Sequence, residues 1–238
     1  IYSSPGKGSI LIANGAECEP LLHADQHPDA ALGQFFMRVQ WDMAEFALES
    51  TELNSKLRQI AADFDMQWRL SFTADRPKVA IFVSRYDHCL VDLLYRHQCG
   101  ELACDIPLII SNHTKAAALA RFHNIPFHHI PVTAKTKADA EAQQFALLQE
   151  NDIDLIVLAR YMQILSAEFV AHYPQQIINI HHSFLPAFLG ANPYQRAFDR
   201  GVKLIGATSH YVTDDLDEGP IIEQDVIRIS PRDQLDDL

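Results

Sequence analysis

The stretch Asn179 to Phe188 places an amide, two imidazoles and a hydroxyl directly after the apolar pair Ile177-Ile178. On an extended chain Asn179 and His181 share one face, because side chains alternate across a strand. An amide can donate to a developing oxyanion, and a histidine can move a proton near neutral pH. A carboxylate beside that histidine would orient it and stabilise its charged form. Asp214, Asp215, Asp217 and Glu218, in the segment 213–220, are the candidates. Ser183 lacks the Gly-x-Ser-x-Gly setting of an activated nucleophile. The set suits acyl transfer to an acceptor that His181 deprotonates.

The same residues have plainer readings. An asparagine or histidine at a strand end commonly closes a loop by hydrogen bonding. His181, His182, His210 and Asp217 also make a conceivable zinc set. Adjacent side chains on a strand point to opposite faces, so His181 and His182 cannot readily share one ion, and no metal is expected. His128 and His129, in an edge-strand-like segment, read as structural or solvent-facing.

These groups need strands to carry them. Residues 78–84, 105–111, 154–160 and 177–182 are nearly continuous apolar runs, which suits strands covered on both faces. Between them, residues 87–97, 114–123, 137–150 and 166–173 read as helices, the last with Ser166 as its cap. Such alternation implies a mostly parallel, Rossmann-like α/β sheet with helices on both faces. The last two apolar segments, 204–212 and 220–229, leave no room for a helix and are expected to pair antiparallel at one edge. In an open α/β sheet, ligands bind beyond the carboxyl ends of the strands. Asn179, His181 and His182 fall at such an end, as do Arg160, Tyr161 and Met162.

Ahead of this lies a shorter unit. Residues 35–41 read as a strand after a turn at 27–34, residues 42–62 as a helix, and 66–72 as a further strand. Residues 73–77 form the expected linker, which Pro77 keeps from being helical. The expected domains are therefore 1–72, a small α+β unit, and 78–238, the α/β unit.

Bulk properties narrow the function. The chain has 238 residues, 48% hydrophobic and 21% charged, with net charge −12. The acidic balance argues against a nucleic-acid partner, which needs clustered Lys and Arg. No apolar run approaches the roughly 20 residues that span a bilayer, so no membrane association is expected. Cys18, Cys89, Cys99 and Cys104 show no metal-finger spacing and read as idle thiols of a reducing cytosol.

The segments NIHHSFLPAF (179–188), HYVTDDLDEGPII (210–222) and LARYMQILS (158–166) resemble the folate-dependent formyltransferase domain, over roughly residues 78–230. Within that group the chain is most similar to the formyltetrahydrofolate deformylases, in its His-His pair after Asn-x and in "YMQIL". The resemblance implies catalytic roles for Asn179, His181 and Asp217. It implies a folate pocket at Met162, Gln163, Ile164, Leu165, Val212 and Thr213. It also implies hydrolysis of 10-formyltetrahydrofolate to formate and tetrahydrofolate, with no cofactor, supplying formate to purine synthesis in the cytoplasm. The segments ADQHPD and GQFFMRVQW resemble the middle strands of an ACT regulatory domain of ferredoxin-like fold. That implies glycine or methionine as effectors and a homotetramer. Residues 1–23 fit an ACT domain poorly, and segments absent from the chain are expected near the amino terminus and after Leu238.

Water is the expected acceptor on physical grounds. The loop after the strand 78–84 reads Arg85, Tyr86, Asp87, His88, Cys89 and lacks the glycines that let a backbone approach a phosphate. Asp87 adds a charge that would repel one, by on the order of 1 kcal/mol at 4 Å in water. Transfer to a small amine acceptor such as glycinamide ribonucleotide is the rival reaction. A non-catalytic folate binder is the rival class.

Overall fold

The structure, a computed structural model, describes residues 2–3, 21–31, 33–42, 50–187, 193–230 and 232–234. The chain divides into two compact units, Ile1–Asp75 and Arg76–Leu238.

The first unit holds β1 (Tyr2–Ser3), β2 (Leu21–Asp29), β3 (Gln34–Trp41) and α1 (Ser50–Asp63). The strands form an antiparallel sheet in the order β1-β3-β2. Leu53, Leu57 and Ala61 make the buried stripe of α1, at the spacing of four that keeps side chains on one helix face. β2 runs on through Asp29, so the turn is confined to the few residues before β3 rather than spanning 27–34. The expected strand 66–72 is also corrected. Its burial alternates, with Met66, Trp68, Leu70 and Phe72 half-buried, yet it joins no ladder among the described residues. Period-two patterning requires only that one side face a core; a strand also requires a hydrogen-bonded neighbour. Cys18, Phe188 and the expected helical residues 43–49 lie outside the described residues.

The second unit is built on seven strands: β4 (Lys78–Val83), β5 (Asp105–Ser111), β6 (Phe127–His129), β7 (Leu155–Ala159), β8 (Ile177–His181), β9 (Leu204–Tyr211) and β10 (Ile221–Arg228). Their order is β10-β9-β8-β7-β4-β5-β6. From β6 to β8 the neighbours are parallel, whereas β9 and β10 are antiparallel to what they adjoin. The apolar run of β4 explains its central place. Ala80 and Phe82 enter one core with Leu148, Ile156 and Phe169, while Val79, Ile81 and Val83 enter the other with Leu90 and Leu94. Side chains of both parities are thus buried, each large one contributing about 1.5–3 kcal/mol.

The helices covering the two faces are α2 (His88–Gln98), α3 (Ala117–Phe122), α4 (Lys137–Glu150) and α5 (Ala167–Ala171). Ser166 caps α5, its hydroxyl accepting from Phe169 N at 3.1 Å. A sixth helix, α6 (Pro193–Asp199), had no counterpart in the sequence reading. Arg76, just before the sheet, is held to it: Nε donates to Asp105 Oδ1 at 2.8 Å and Nη2 to the Cys104 carbonyl at 2.6 Å.

The chain enters the sheet at β4, adds β5 and β6 on one side, then crosses to β7 and β8 on the other. Connections leave in opposite directions there, which opens a crevice at the carboxyl ends of β4 and β7.

Candidate active site

Parallel pairing sets Leu158 of β7 beside Asn179 of β8, so β8 carries Asn179 and His181 to the rim of that crevice. Antiparallel pairing with β9 then sets His210 opposite Asn179 and Thr208 opposite His181. His181 and His210 are buried. Asn179 Nδ2 lies 3.2 Å from His210 Nε2, and His210 Nδ1 lies 2.9 Å from the Tyr211 carbonyl. A carbonyl only accepts, so Nδ1 is the donor of that contact. With Nδ1 donating, Nε2 is the ring atom able to accept one Asn179 N–H. The second N–H of the same amide remains for another acceptor.

Of the four acidic candidates after β9, Asp214, Asp215 and Glu218 are exposed and only Asp217 turns inward, with its side chain 10% accessible. Its Oδ1 lies 3.4 Å from His181 Nδ1 and 3.7 Å from His210 Nε2. These distances exceed an ideal hydrogen bond, as catalytic contacts in ligand-free sites often do before they tighten. The loop that delivers Asp217 is closed by Tyr211 N donating to the Pro220 carbonyl at 2.9 Å. Asp217 sits at φ 59°. A Cβ on Gly219 would lie 1.8 Å from the Tyr211 oxygen, so only glycine permits this crossing.

Burial and charge compete at His181. Burial lowers its pKa and dominates; Asp217 opposes this, while His210 and Arg160 add to the lowering. The net direction is down, against the expectation that a neighbouring carboxylate would raise it. His181 is therefore a neutral base at pH 7. Its Nδ1 faces Asp217, and its Nε2 is buried with no hydrogen-bond partner. Burial, helped by Arg160, His181 and His88, holds His182 at a pKa of about 4. Its ring lies edge-on to Tyr194 at 5.8 Å.

The loop after β8 is pinned rather than free. Thr208 Oγ1 donates to the Ser183 carbonyl at 2.8 Å and accepts from Leu185 N and Gln224 Nε2, each at 3.0 Å. Ser183 Oγ donates to the Ala187 carbonyl at 3.1 Å, which fixes the loop and leaves no activated hydroxyl. Ser84 ties the ends of β4 and β7 together: its Oγ accepts from Met162 N at 2.9 Å and donates to Asn112 Oδ1 at 2.6 Å. Among the described residues, no group of three His, Cys, Asp or Glu side chains is placed to hold a metal ion.

The chain matches the formyl transferase family over residues 77–238. It is 53% identical to the formyltetrahydrofolate deformylase of Synechocystis sp., over 92% of this chain and 76% of that protein. It is 48% identical to the formyltetrahydrofolate deformylase of Bacillus subtilis, over 97% of this chain and 76% of the relative. The crystal structure of a formyltetrahydrofolate deformylase from Pseudomonas syringae pv. tomato superposes with a TM-score of 0.89 at 45% identity, covering 92% of this chain and 74% of that one. The chain belongs to the formyltetrahydrofolate deformylase family.

In this deformylase-family fold the expected residues fall into two groups. Asn179, His181 and Asp217 converge, joined by His210, which the sequence offers only as a conceivable zinc ligand. Of the expected folate-pocket residues, Met162 and Ile164 are 55% and 61% exposed, large apolar side chains left in water. Gln163, Val212 and Thr213 are half-buried. Leu165 is buried with Phe169 and Tyr173. The charge balance beside the cleft also differs from expectation. Asp87 Oδ1 lies 3.4 Å from Lys115 Nζ, and the Arg160 guanidinium sits 5.3 Å from the centre of the adjacent Tyr86 ring. Two cationic side chains, Lys115 and Arg160, thus accompany the Asp87 carboxylate, which Lys115 pairs, and that part of the cleft is not anionic.

No helix among the described residues is long and apolar enough to cross a membrane. Cys89, Cys99 and Cys104 are free thiols, and Cys104 is buried.

Proposed function

We propose that this chain hydrolyses 10-formyltetrahydrofolate to formate and tetrahydrofolate, and that Asn179, His181 and Asp217 are the groups that carry the reaction. The observation that supports it most strongly is the placement of His181 Nδ1 beside Asp217, with the Asn179 amide held next to them by His210. Family membership supplies the substrate class.

The chemistry follows from the donor and acceptor roles. A pterin ring covers the exposed side chains of Met162 and Ile164, with Gln163, Val212 and Thr213 at its edges and the Leu165 backbone beneath. The formyl carbon then lies over the end of β8. The free N–H of Asn179 donates to the formyl oxygen. His181 Nε2 accepts a proton from water as its oxygen attacks the formyl carbon. The tetrahedral oxyanion is held by Asn179, a contribution worth about 100- to 1000-fold in rate. The C–N bond breaks as His181 returns a proton to the leaving nitrogen. Water has then supplied one oxygen to formate and one hydrogen to tetrahydrofolate, and the remaining proton leaves to solvent. Asp217 holds the His181 ring through Nδ1 and stabilises the imidazolium while it exists. The steps are redox-neutral, and folate enters as substrate rather than as cofactor.

The wider role is part of the same proposal: formate supplied to purine synthesis and a balanced folate pool, in the cytoplasm. The amino-terminal sheet with its helix is proposed as an ACT-type sensor of glycine or methionine within a homotetramer.

The decisive assay omits every amine acceptor. The protein is incubated with 10-formyltetrahydrofolate, and formate and tetrahydrofolate are measured. Equimolar release of both is expected. Turnover that begins only when an amine is added would overturn the proposal.

A further inference from the structure

One charged group at the cleft takes no part in the chemistry above. Arg160 follows β7, with its backbone at φ 60°. The other described non-glycine residues in this region are Asp65, Asn124, Asp152, Gln175 and Asp217. Asp and Asn tolerate it; a long side chain is strained there. Such strain persists where the side chain is needed. The Arg160 guanidinium lies against the Tyr86 ring, and its Nε is buried without a hydrogen-bond partner. None of the described carboxylates forms an ion pair with it.

A second observation concerns α2, an 11-residue helix that begins just beyond Tyr86. Its N-cap residue, Asp87, makes no capping hydrogen bond and faces Lys115 instead. The first-turn N–H groups, which a helix leaves unpaired, therefore have no side-chain acceptor. Burial is the main influence on His88 and Cys89, both in that turn. The Arg160 charge comes next, lowering the pKa of His88 and opposing the rise at Cys89. Tyr86, over whose ring the guanidinium lies, directly precedes the N-cap Asp87, so the guanidinium and the helix start are close.

We propose that Arg160, the Tyr86 ring and the first turn of α2 form a subsite for a small carboxylate, and that its ligand is the formate released by hydrolysis. A guanidinium and a helix N-terminus both favour an oxyanion. The ladder joins Leu158 to Asn179, and Arg160 and His181 each stand two residues further on. The product anion therefore has a short path from the reacting carbon to Arg160. The His182 ring, 5.4 Å from that of His181 and 5.8 Å from that of Tyr194, adds no charge there at pH 7. Two carboxylates oppose it, Asp87 and Asp92, and each is paired, with Lys115 and Arg96 respectively. Formate held here is removed from the leaving nitrogen, which disfavours recombination. This inference rests on the deformylation reading, since that reaction supplies the anion.

The test is a titration of folate-free protein with carbon-13-labelled formate, followed by line broadening. Saturable binding is expected for the unmodified protein. Arg160→Gln should weaken it about tenfold or more, the worth of one charge-assisted hydrogen bond. Arg160→Lys should fall between, and Asp217→Asn should bind at least as tightly as the unmodified chain. Arg160→Gly, which relaxes the backbone, replaces the Gln variant if thermal melting shows that one misfolded. Equal binding by the Arg160 variants overturns the proposal, as does absence of saturable binding. Inorganic phosphate displacing formate with higher affinity also overturns it, because the subsite would then be a phosphate site. Titration needs no turnover, so its failure is distinct from failure of the acceptor-free assay.

Discussion

His210 is the residue whose part in the site is most open to direct measurement. It is 2% exposed and bridges the Tyr211 carbonyl to the Asn179 amide. In the proposed mechanism it is a positioning residue: it would aim one Asn179 N–H so that the other meets the formyl oxygen. His210→Phe keeps an aromatic ring of similar size while removing both nitrogens. Deleting the proposed oxyanion donor itself, in Asn179→Ala, should lower kcat by about 100- to 1000-fold, or 2.7–4 kcal/mol. Misaiming that donor cannot cost more than deleting it, so His210→Phe should lower kcat by about 10- to 100-fold with little change in KM. The double variant should then resemble Asn179→Ala alone, giving a coupling energy on the order of 1–3 kcal/mol. Acceptor-free formate release at saturating substrate measures all four proteins. Additive losses in the Asn179 cycle would refute the role. Non-additivity found only in a parallel cycle with Asp217→Asn would redirect it, since Asp217 Oδ1 is 3.7 Å from the same ring.

Two further outcomes follow. Burial lowers the pKa of His181, so its basic form persists below the ordinary value near 6.5; kcat/KM should stay flat through neutral pH and decline only in more acid solution. Asp217 opposes that lowering and Arg160 adds to it, so Asp217→Asn should move the acid limb to lower pH and Arg160→Gln to higher pH; a limb above 6.5 in the unmodified protein would contradict this. Gly219→Ala forces a Cβ onto the Tyr211 oxygen, so it should lower stability by a few kcal/mol and displace Asp217, read as a lower Tm together with lost kcat.

The parts of this protein that were legible in its sequence are those fixed by one-dimensional pattern. Residues 78–84 and 105–111 are nearly continuous apolar runs because both sheet faces are covered, and such runs need no knowledge of neighbours. Asn179 and His181 were readable for the same reason, since a spacing of two defines a face. His210 was not, because it reaches Asn179 only through the antiparallel register of β8 and β9. Asp217 could not be separated from Asp214, Asp215 and Glu218 by chemistry alone; the left-handed turn and Gly219 select it. The direction of the His181 shift is not legible in the sequence, because burial depends on the whole sheet whereas the carboxylate is visible in the chain. Asp87 was read as a bare charge because Lys115, 28 positions away, gave no local signal. Met66 to Phe72 misled in the opposite way: the pattern was present, but a strand needs a partner that pattern cannot supply.

Thr208 has one hydroxyl and uses it completely, giving one hydrogen bond and taking two. Gln224, which supplies one of these, belongs to the outermost strand, whose residues are largely in contact with solvent. The border of the sheet is therefore a latch on its interior. Fraying of β10, the kind of local opening that edge elements undergo most readily, would release Leu185 and Ser183 together and loosen the segment that follows His181. Amide exchange at Leu185 should accordingly keep pace with exchange along β10 rather than with the slower rhythm of β4.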